Sequence, residues 1–264
     1  MQPLPPTELP RIDSLHNLRS LAGLPAADGR RIAPHALLRS DRLNRLSPAG
    51  WAQLAGLNLH TICDLRGQEE VARAPTLLPT DQGLRILHLD IRNDVRSNPA
   101  LAATLKDNPT PEGARQLMLS IYSSFPGALA PRLPALFDTL DNTTPEAAML
   151  VHCAAGKDRT GFVIGLILQA LGVPFDAIMA DYLRTRGSLG AADPRVAHLR
   201  QHFMDQIGVA LAPDVIGPIL NVEPDYLLTA WRVLEQDHDG ADAYLARHGL
   251  DDARRRRLRD QLLR

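Results

Sequence analysis

Cys153 and Arg159 stand with five residues between them in MLVHCAAGKDRTGFVIGLIL, Met149 to Leu168. An apolar, strand-like run leads into the cysteine, and a helical apolar pattern follows the arginine. A short loop that opens a helix binds anions, because free backbone N–H groups and the positive helix end converge on one point. The amides of Ala154, Ala155, Gly156, Lys157 and Asp158, with the forked guanidinium of Arg159, can ring three phosphate oxygens while the sulfur faces phosphorus. A thiol at a helix start beside cations is drawn towards thiolate, the reactive form, whereas a cysteine buried in apolar surroundings is inert. The Gly, Lys, Asp, Arg and Thr that follow Cys153 are poor core material, so it is expected as a nucleophile with Arg159 as the phosphate-holding cation. Gly156 leaves room for the loop to curl close to a ligand.

Phosphoryl transfer to sulfur needs a carboxylic acid that protonates the leaving oxygen and then activates water. Asp158 lies inside the loop, and Asp90 and Asp94 are available upstream. Thr160 either starts the helix or donates its hydroxyl to the sulfur when water cleaves the phosphoenzyme. His152 is expected to order the loop backbone rather than shuttle protons. Lys157 is expected as a second positive charge at the pocket rim, which suits a substrate carrying more than one phosphate; the alternative is a solvated lysine that tunes the potential. Cys63 directly precedes Asp64 on an expected strand, so its side chain points to the opposite face and belongs in the core. A redox partnership with Cys153 is the alternative.

The elements that must position these groups read as an α/β alternation. Ser47 is an expected N-cap with Pro48 at the first helical position, and Trp51, Leu54 and Leu57 give helical apolar spacing to an end near Leu57. LHTICDL predicts a buried strand ending near Asp64, and RILHLDI, Arg85 to Ile91, another. Asn93 to Pro111 is polar and reads as a long loop or cover. Two helical patterns follow, Ala114 to Ser123 and Ala128 to Leu140, and then the strand AAMLVHC. TGFVIGLILQALG predicts a buried helix closed by Gly172 and Pro174. Segments near Asp176 to Thr185, Asp193 to Ile207, Pro224 to Asp237 and Asp251 to Arg264 all read as helices.

Composition narrows the rest. A chain of 264 residues predicts one domain over 1–264, with residues 1–13 an irregular, proline-rich lead-in. A formal net charge of -1 gives no general reason to bind nucleic acid or an anionic membrane. The run ARRRRLRDQLLR is read as the solvated face of an amphipathic terminal helix rather than a nucleic-acid or lipid patch. Two cysteines make no disulfide framework, and no Cys/His spacing marks a zinc site, so neither metal nor organic cofactor is expected. The N-terminal residues lack the pattern of a signal peptide and no stretch approaches a membrane span, so the cytoplasm is expected, with leaderless export left open. Oligomeric state is left open.

HCAAGKDRTG, His152 to Gly161, resembles the phosphate-binding loop of cysteine-dependent protein tyrosine phosphatases, most of all a bacterial family of tyrosine and phosphoinositide phosphatases. NLRSLAG with the later RS is similar to that family's N-terminal signature, and TICDLRGQEEV to its Asp-Leu-Arg segment. VEPDYLLTAW and AYLARHGL resemble its C-terminal helices. Ser20 and Ala22 stand where the signature has Asp and Gly. The resemblance implies an α/β phosphatase fold, a mostly parallel central sheet flanked by helices with additional C-terminal helices. It implies hydrolysis of a phosphomonoester on a phosphorylated protein or phosphoinositide, through a cysteinyl-phosphate intermediate. It gives the acid role to Asp158, assisted by Asp64, and links a lysine at position 157 to phosphoinositide activity. Two rival readings are a phosphate-dependent binding module without turnover and a rhodanese-like sulfurtransferase.

Overall fold

The computed structural model describes residues 9–80, 83–92, 104–187, 194–208 and 210–264. Five strands form one sheet: β1 (Arg19–Ser20), β2 (Leu37–Ser40), β3 (Leu59–Asp64), β4 (Arg85–His88) and β5 (Ala148–His152), in the order β1-β2-β5-β3-β4. Only β1 runs antiparallel; β2, β5, β3 and β4 are mutually parallel. The register aligns Ser40, His152 and Asp64 across the three central strands, so their C-terminal ends open on the same edge. Ligands of parallel sheets bind in the crevice beyond such strand ends.

The period-two pattern of the strands divides the core. Leu38, Ile62 and Leu150 face a smaller cluster with Trp51 and Leu54 of α1 (Pro48–Ala55) and with Leu57 just beyond its end. Ser47 caps α1, its hydroxyl accepting the Gly50 amide at 3.1 Å, as expected. Leu37, Cys63, Met149 and Val151 face the larger cluster. Cys63 is fully buried there, and burial first, then Asp64, push its thiol above the ordinary range.

The helices on that side are α3 (Pro111–Leu129), α4 (Leu133–Leu140), α5 (Asp158–Ala170), α6 (Phe175–Leu183), α7 (Pro194–Ile207), α8 (Pro213–Leu220), α9 (Pro224–His238), α10 (Ala241–Arg247) and α11 (Asp252–Leu262); α2 (Gln68–Arg73) follows β3. In α5 every residue but Asp158 and Gln169 is buried, which accounts for its almost unbroken apolar sequence. Each fully buried Leu, Ile, Val or Phe there contributes about 1.5–3 kcal/mol of transfer free energy.

The structure departs from the expected elements in several places, among them α2, which the sequence reading lacks, and the end of α1 at Ala55 rather than near Leu57. β4 ends at His88 rather than Ile91, because Asp90 has φ +39°, outside the extended region. Of the two helices expected between 114 and 140, the first begins earlier, at Pro111 with Thr110 as cap, and runs through Pro126 to Leu129, and the second begins later, at Leu133. The break falls at the 3₁₀ turn Ala130–Arg132. α8 was not anticipated; its two prolines hide a short helix from pattern reading. Most of the loop expected over Asn93 to Pro111, most of the residues between Gly187 and Pro194, and Asp94 lie outside the described residues. In α11 the arginine run is tied to surface acids: Arg254 to Asp138 and Asp141, Arg255 to Asp242 and Arg259 to Asp28. Among the described residues no helix is long and apolar enough to cross a membrane.

Candidate active site

Cys153 follows β5 directly, and the chain turns through 154–157 into the first turn of α5. Three loop carbonyls point outward into partners. The Arg42 amide donates to Ala154 O at 3.2 Å, Asn17 Nδ2 donates to Ala155 O (3.1 Å) and Gly156 O (2.8 Å), and Arg39 Nη2 donates to Gly156 O (2.8 Å). Among the described residues, the amides of Ala154, Ala155, Gly156 and Lys157 donate to no protein acceptor. Turning the carbonyls out leaves these amides, the helix N-terminus and the buried Cys153 around one point, an anion cradle. Gly156 is demanded twice over: its φ is +65°, and a Cβ would lie 2.2 Å from Ser40 O.

A buried ionic frame supports the cradle. Asp181 on α6 accepts from Arg19 Nε at 2.8 Å and Arg39 Nη1 at 2.6 Å, and Arg19 also donates to Asn17 Oδ1. Asp181 is thus connected to Gly156 O through Arg39 directly and through Arg19 and Asn17. Burial raises its carboxyl, but the two guanidiniums outweigh that and hold it below the ordinary range. Arg19 is lowered to about 10, by burial first and then by Arg39.

Arg159 is buried and forked onto Glu70 of α2, Nη1 at 2.5 Å from Oε2 and Nη2 at 3.0 Å from Oε1, with Nη1 also donating to Ile91 O at 3.1 Å. Glu70 reaches the Gly67 amide as well (2.9 Å), so one carboxylate caps α2 and orients the guanidinium. Asp158 opens α5 and accepts the Tyr122 hydroxyl at 2.7 Å. His152 is fully buried; its Nδ1 donates to Cys153 O at 3.0 Å, and burial chiefly lowers its pKa, so it orders the loop as a neutral ring. The Thr160 hydroxyl is buried and, among the described residues, has no hydrogen-bond partner.

Two expected placements are corrected. Lys157 is not at the rim: only 2% exposed, its Nζ donates to Ile219 O (2.5 Å) and Asn221 O (2.9 Å). Carbonyls at a helix C-terminus lack intrahelical donors and carry the negative end of the dipole, so the end of α8 is a natural seat for an ammonium. Asp64 is not poised to assist the acid. Both its oxygens are engaged by Arg66, with Nη2 at 2.6 Å from Oδ2 and Nε at 2.9 Å from Oδ1, and His152 Nε2 lies 3.7 Å away. Burial raises the Asp64 carboxyl, but His152, once its ring is protonated in acid, and the Arg66 guanidinium outweigh it and hold it low. Of the upstream alternatives, Asp90 accepts the Gln68 amide and pairs with Arg92, and is likewise held low.

Comparison with known proteins shows the family. Residues 10–264 match the model of a tyrosine phosphatase family. The chain belongs to that family. It is 31% identical over 273 residues to PtpB, a triple specificity protein phosphatase of Mycobacterium tuberculosis, covering 94% of this chain and 96% of the relative. A protein of Cupriavidus necator named for tyrosine-protein phosphatase activity is 30% identical over 234 residues, covering 88% and 81% respectively. The core catalytic domain of the PP-IP phosphatase SIW14 from S. cerevisiae, solved with citrate, aligns over 88% of this chain and 95% of that one at 16% identity and a TM-score of 0.33. The chain is therefore a phosphatase of this family with an α/β fold and a mostly parallel sheet.

Asn17, Arg39, Glu70, Tyr122 and Asp181 escaped sequence reasoning as site residues. Asn17, Arg39 and Glu70 lie within or near segments whose family resemblance is visible, which is the signal that could have found them. Tyr122 and Asp181 sit in ordinary amphipathic helices with no local mark.

Among the described residues, no group of three or more His, Cys, Asp or Glu is arranged to hold a metal ion.

Proposed function

We propose that the chain hydrolyses phosphomonoesters through a cysteinyl-phosphate intermediate, with the phosphotyrosine of a protein as the favoured substrate. The observation that carries this reading is the cradle of unbonded amides at Ala154 to Lys157 around Cys153, closed by Arg159. The Cys153 thiolate attacks phosphorus in line. The S–P bond forms as the P–O bond to the leaving group breaks, and Asp158 delivers a proton to the departing oxygen. The amides and Arg159 hold the charge spread over the equatorial oxygens. Water then attacks the phosphocysteine, Asp158 takes its proton, and thiolate and inorganic phosphate are released. The buried, unpartnered Thr160 hydroxyl is available to the departing sulfur.

Asp64 serves as a positioning group for Arg66 and His152 in this scheme. The sequestration of Lys157 at the end of α8 favours a single phosphate over a multiply phosphorylated inositol ring. PtpB's name records triple specificity, so phosphoserine, phosphothreonine and phosphoinositide belong in the test. Two free thiols fit a reducing, cytoplasmic setting.

The test is phosphate release from phosphotyrosine, phosphoserine and phosphothreonine peptides, phosphoinositides and sugar phosphates, in the presence of chelator. Fastest release from phosphotyrosine supports the reading. Binding with one stoichiometric burst and no turnover would identify a binding module, and thiocyanate formation from thiosulfate and cyanide a sulfurtransferase.

A further inference from the structure

We propose that Tyr122, backed by Tyr182, is the positioning residue that aims the Asp158 carboxyl at the leaving oxygen, with the transferred proton carried on Oδ2. The proposal rests on the reading of Asp158 as the acid. Tyr122 lies on α3, fully buried, and its hydroxyl meets Asp158 Oδ1 at 2.7 Å. The hydroxyl of Tyr182, buried on α6, lies 2.7 Å from that of Tyr122.

The hydrogen-bond directions follow from valence. An ionised carboxylate only accepts, so Tyr122 commits its single proton to Asp158 and its oxygen accepts the proton of Tyr182. Burial first, and the nearby Asp158 charge second, push both phenols well above the ordinary tyrosine range, so neither surrenders its proton. The pair is a fixed strut between two helices and the carboxyl.

The strut bonds one oxygen only. Lys157 Nζ also approaches Oδ1, at 3.3 Å, while among the described residues no hydrogen bond reaches Oδ2. A proton on Oδ1 would face the Tyr122 donor and the nearest approach of the Lys157 ammonium, whereas Oδ2 carries no hydrogen bond among the described residues. The Asp158 side chain is 26% exposed at the first position of α5, where among the described residues the Tyr122 hydroxyl makes its one side-chain hydrogen bond, and proton transfer requires hydrogen-bond reach to the leaving oxygen. The titratable groups facing Asp158 are Lys157 from the loop, Tyr122 from α3, Tyr182 from α6 and, at longer range, Tyr226 from α9. Arg39 acts on Tyr182, and Glu223 and Arg115 act on Tyr226.

Tyr122→Phe keeps the ring and its packing against Phe125 and Tyr226 while deleting the donor. Turnover of phenyl phosphate, whose leaving oxygen needs a proton, is expected to fall about tenfold, within the reach of a general-acid effect. Turnover of 2,4-dinitrophenyl phosphate, which needs none, should stay within about twofold. The lost bond was made to the ionised carboxylate, so the protonated form gains, and the basic limb of the phenyl phosphate profile moves to higher pH. In an Asp158→Asn background, Tyr122→Phe should add no further ester-specific loss. Tyr182→Phe should act in the same direction more weakly, and provides the test if Tyr122→Phe proves unfolded by thermal melting. Equal slowing of both esters, or an ester-specific loss that persists without Asp158, overturns the proposal. A wild-type protein without turnover, or an Asp158→Asn variant that treats both esters alike, would instead sink the underlying reading and this one with it.

Discussion

The guanidinium of Arg159 and the carboxylate of Glu70 meet along two bonds, at 2.5 and 3.0 Å, so the orientation of the phosphate-holding arginine is set by a residue on another helix. An arginine fork matches both a carboxylate and the equatorial oxygens of a transferring phosphoryl group, which a lysine cannot do.

Arg159→Lys is therefore expected to lower kcat by about 10²–10³-fold, the scale of losing one transition-state donor. Glu70→Gln keeps the shape but loses the charge and one accepting oxygen, and should lower kcat by a smaller factor while leaving the fold intact. Steady-state kinetics with circular dichroism decides the matter; Arg159→Lys at near wild-type rates would mean that phosphate binds elsewhere.

Cys153→Ser should abolish turnover yet keep binding of phosphate or vanadate, because a hydroxyl is a poor nucleophile while the amides of 154–157 are unaltered. Calorimetric titration with vanadate, beside phosphate-release kinetics, separates the two properties. Residual steady-state activity above about one percent of wild type would remove Cys153 from the nucleophile's place.

Stability should fall on the acid side in two stages. An unfolded histidine protonates near pH 6.5, but burial lowers His152 in the folded state, so below that pH the unfolded chain binds more protons and stability drops. Asp64 and Asp181 are held below 3.8, so their contribution is complete above that pH and is lost as the pH falls through their depressed folded values. Urea midpoints from pH 8 to 3 should show both declines. His152→Asn, whose amide can replace the Nδ1 donor, should lessen the first alone. Asp181→Asn should cost about 3–5 kcal/mol at neutral pH by leaving Arg19 and Arg39 without their shared carboxylate. An unchanged slope below pH 6.5 in His152→Asn would take that histidine out of the account.

What the sequence makes legible is what is local in the chain. The cradle is built from contiguous residues at a strand-to-helix junction, so its anion-binding character follows from Cys153 to Arg159 without knowledge of neighbours. The same holds for α1, where the cap Ser47 and the buried Trp51 and Leu54 lie within two turns, although the helix stops at Ala55, short of Leu57. The supporting frame is the opposite case. Asn17 and Gly156 are 139 positions apart, and Arg39 and Asp181 142, so only the topology that sets β2 beside β5 brings them together. Lys157 shows how local reading goes astray. A lysine in a phosphate loop reads as a substrate cation until α8, some 60 residues further on, supplies two carbonyls.

Asp158 is expected to act as the general acid in preference to Asp90 or Asp94. Its position beside Arg159 brings it to the cradle, and its Oδ2 makes no hydrogen bond among the described residues. Asp90 is committed elsewhere, with the Gln68 amide and Arg92 stabilising its ionised form. Asp158→Asn should slow phenyl or alkyl phosphates by about 10²–10³-fold, whereas an activated ester, whose leaving group departs without a proton, should lose far less. The basic limb of the pH profile should flatten in the same variant, because the group whose deprotonation shuts off turnover has gone. Asp90→Asn and Asp94→Asn are expected to treat the two ester classes alike. If either shows the leaving-group dependence and Asp158→Asn does not, the proton comes from the upstream loop, and the Tyr122 strut holds a carboxylate that serves the architecture of α5 alone.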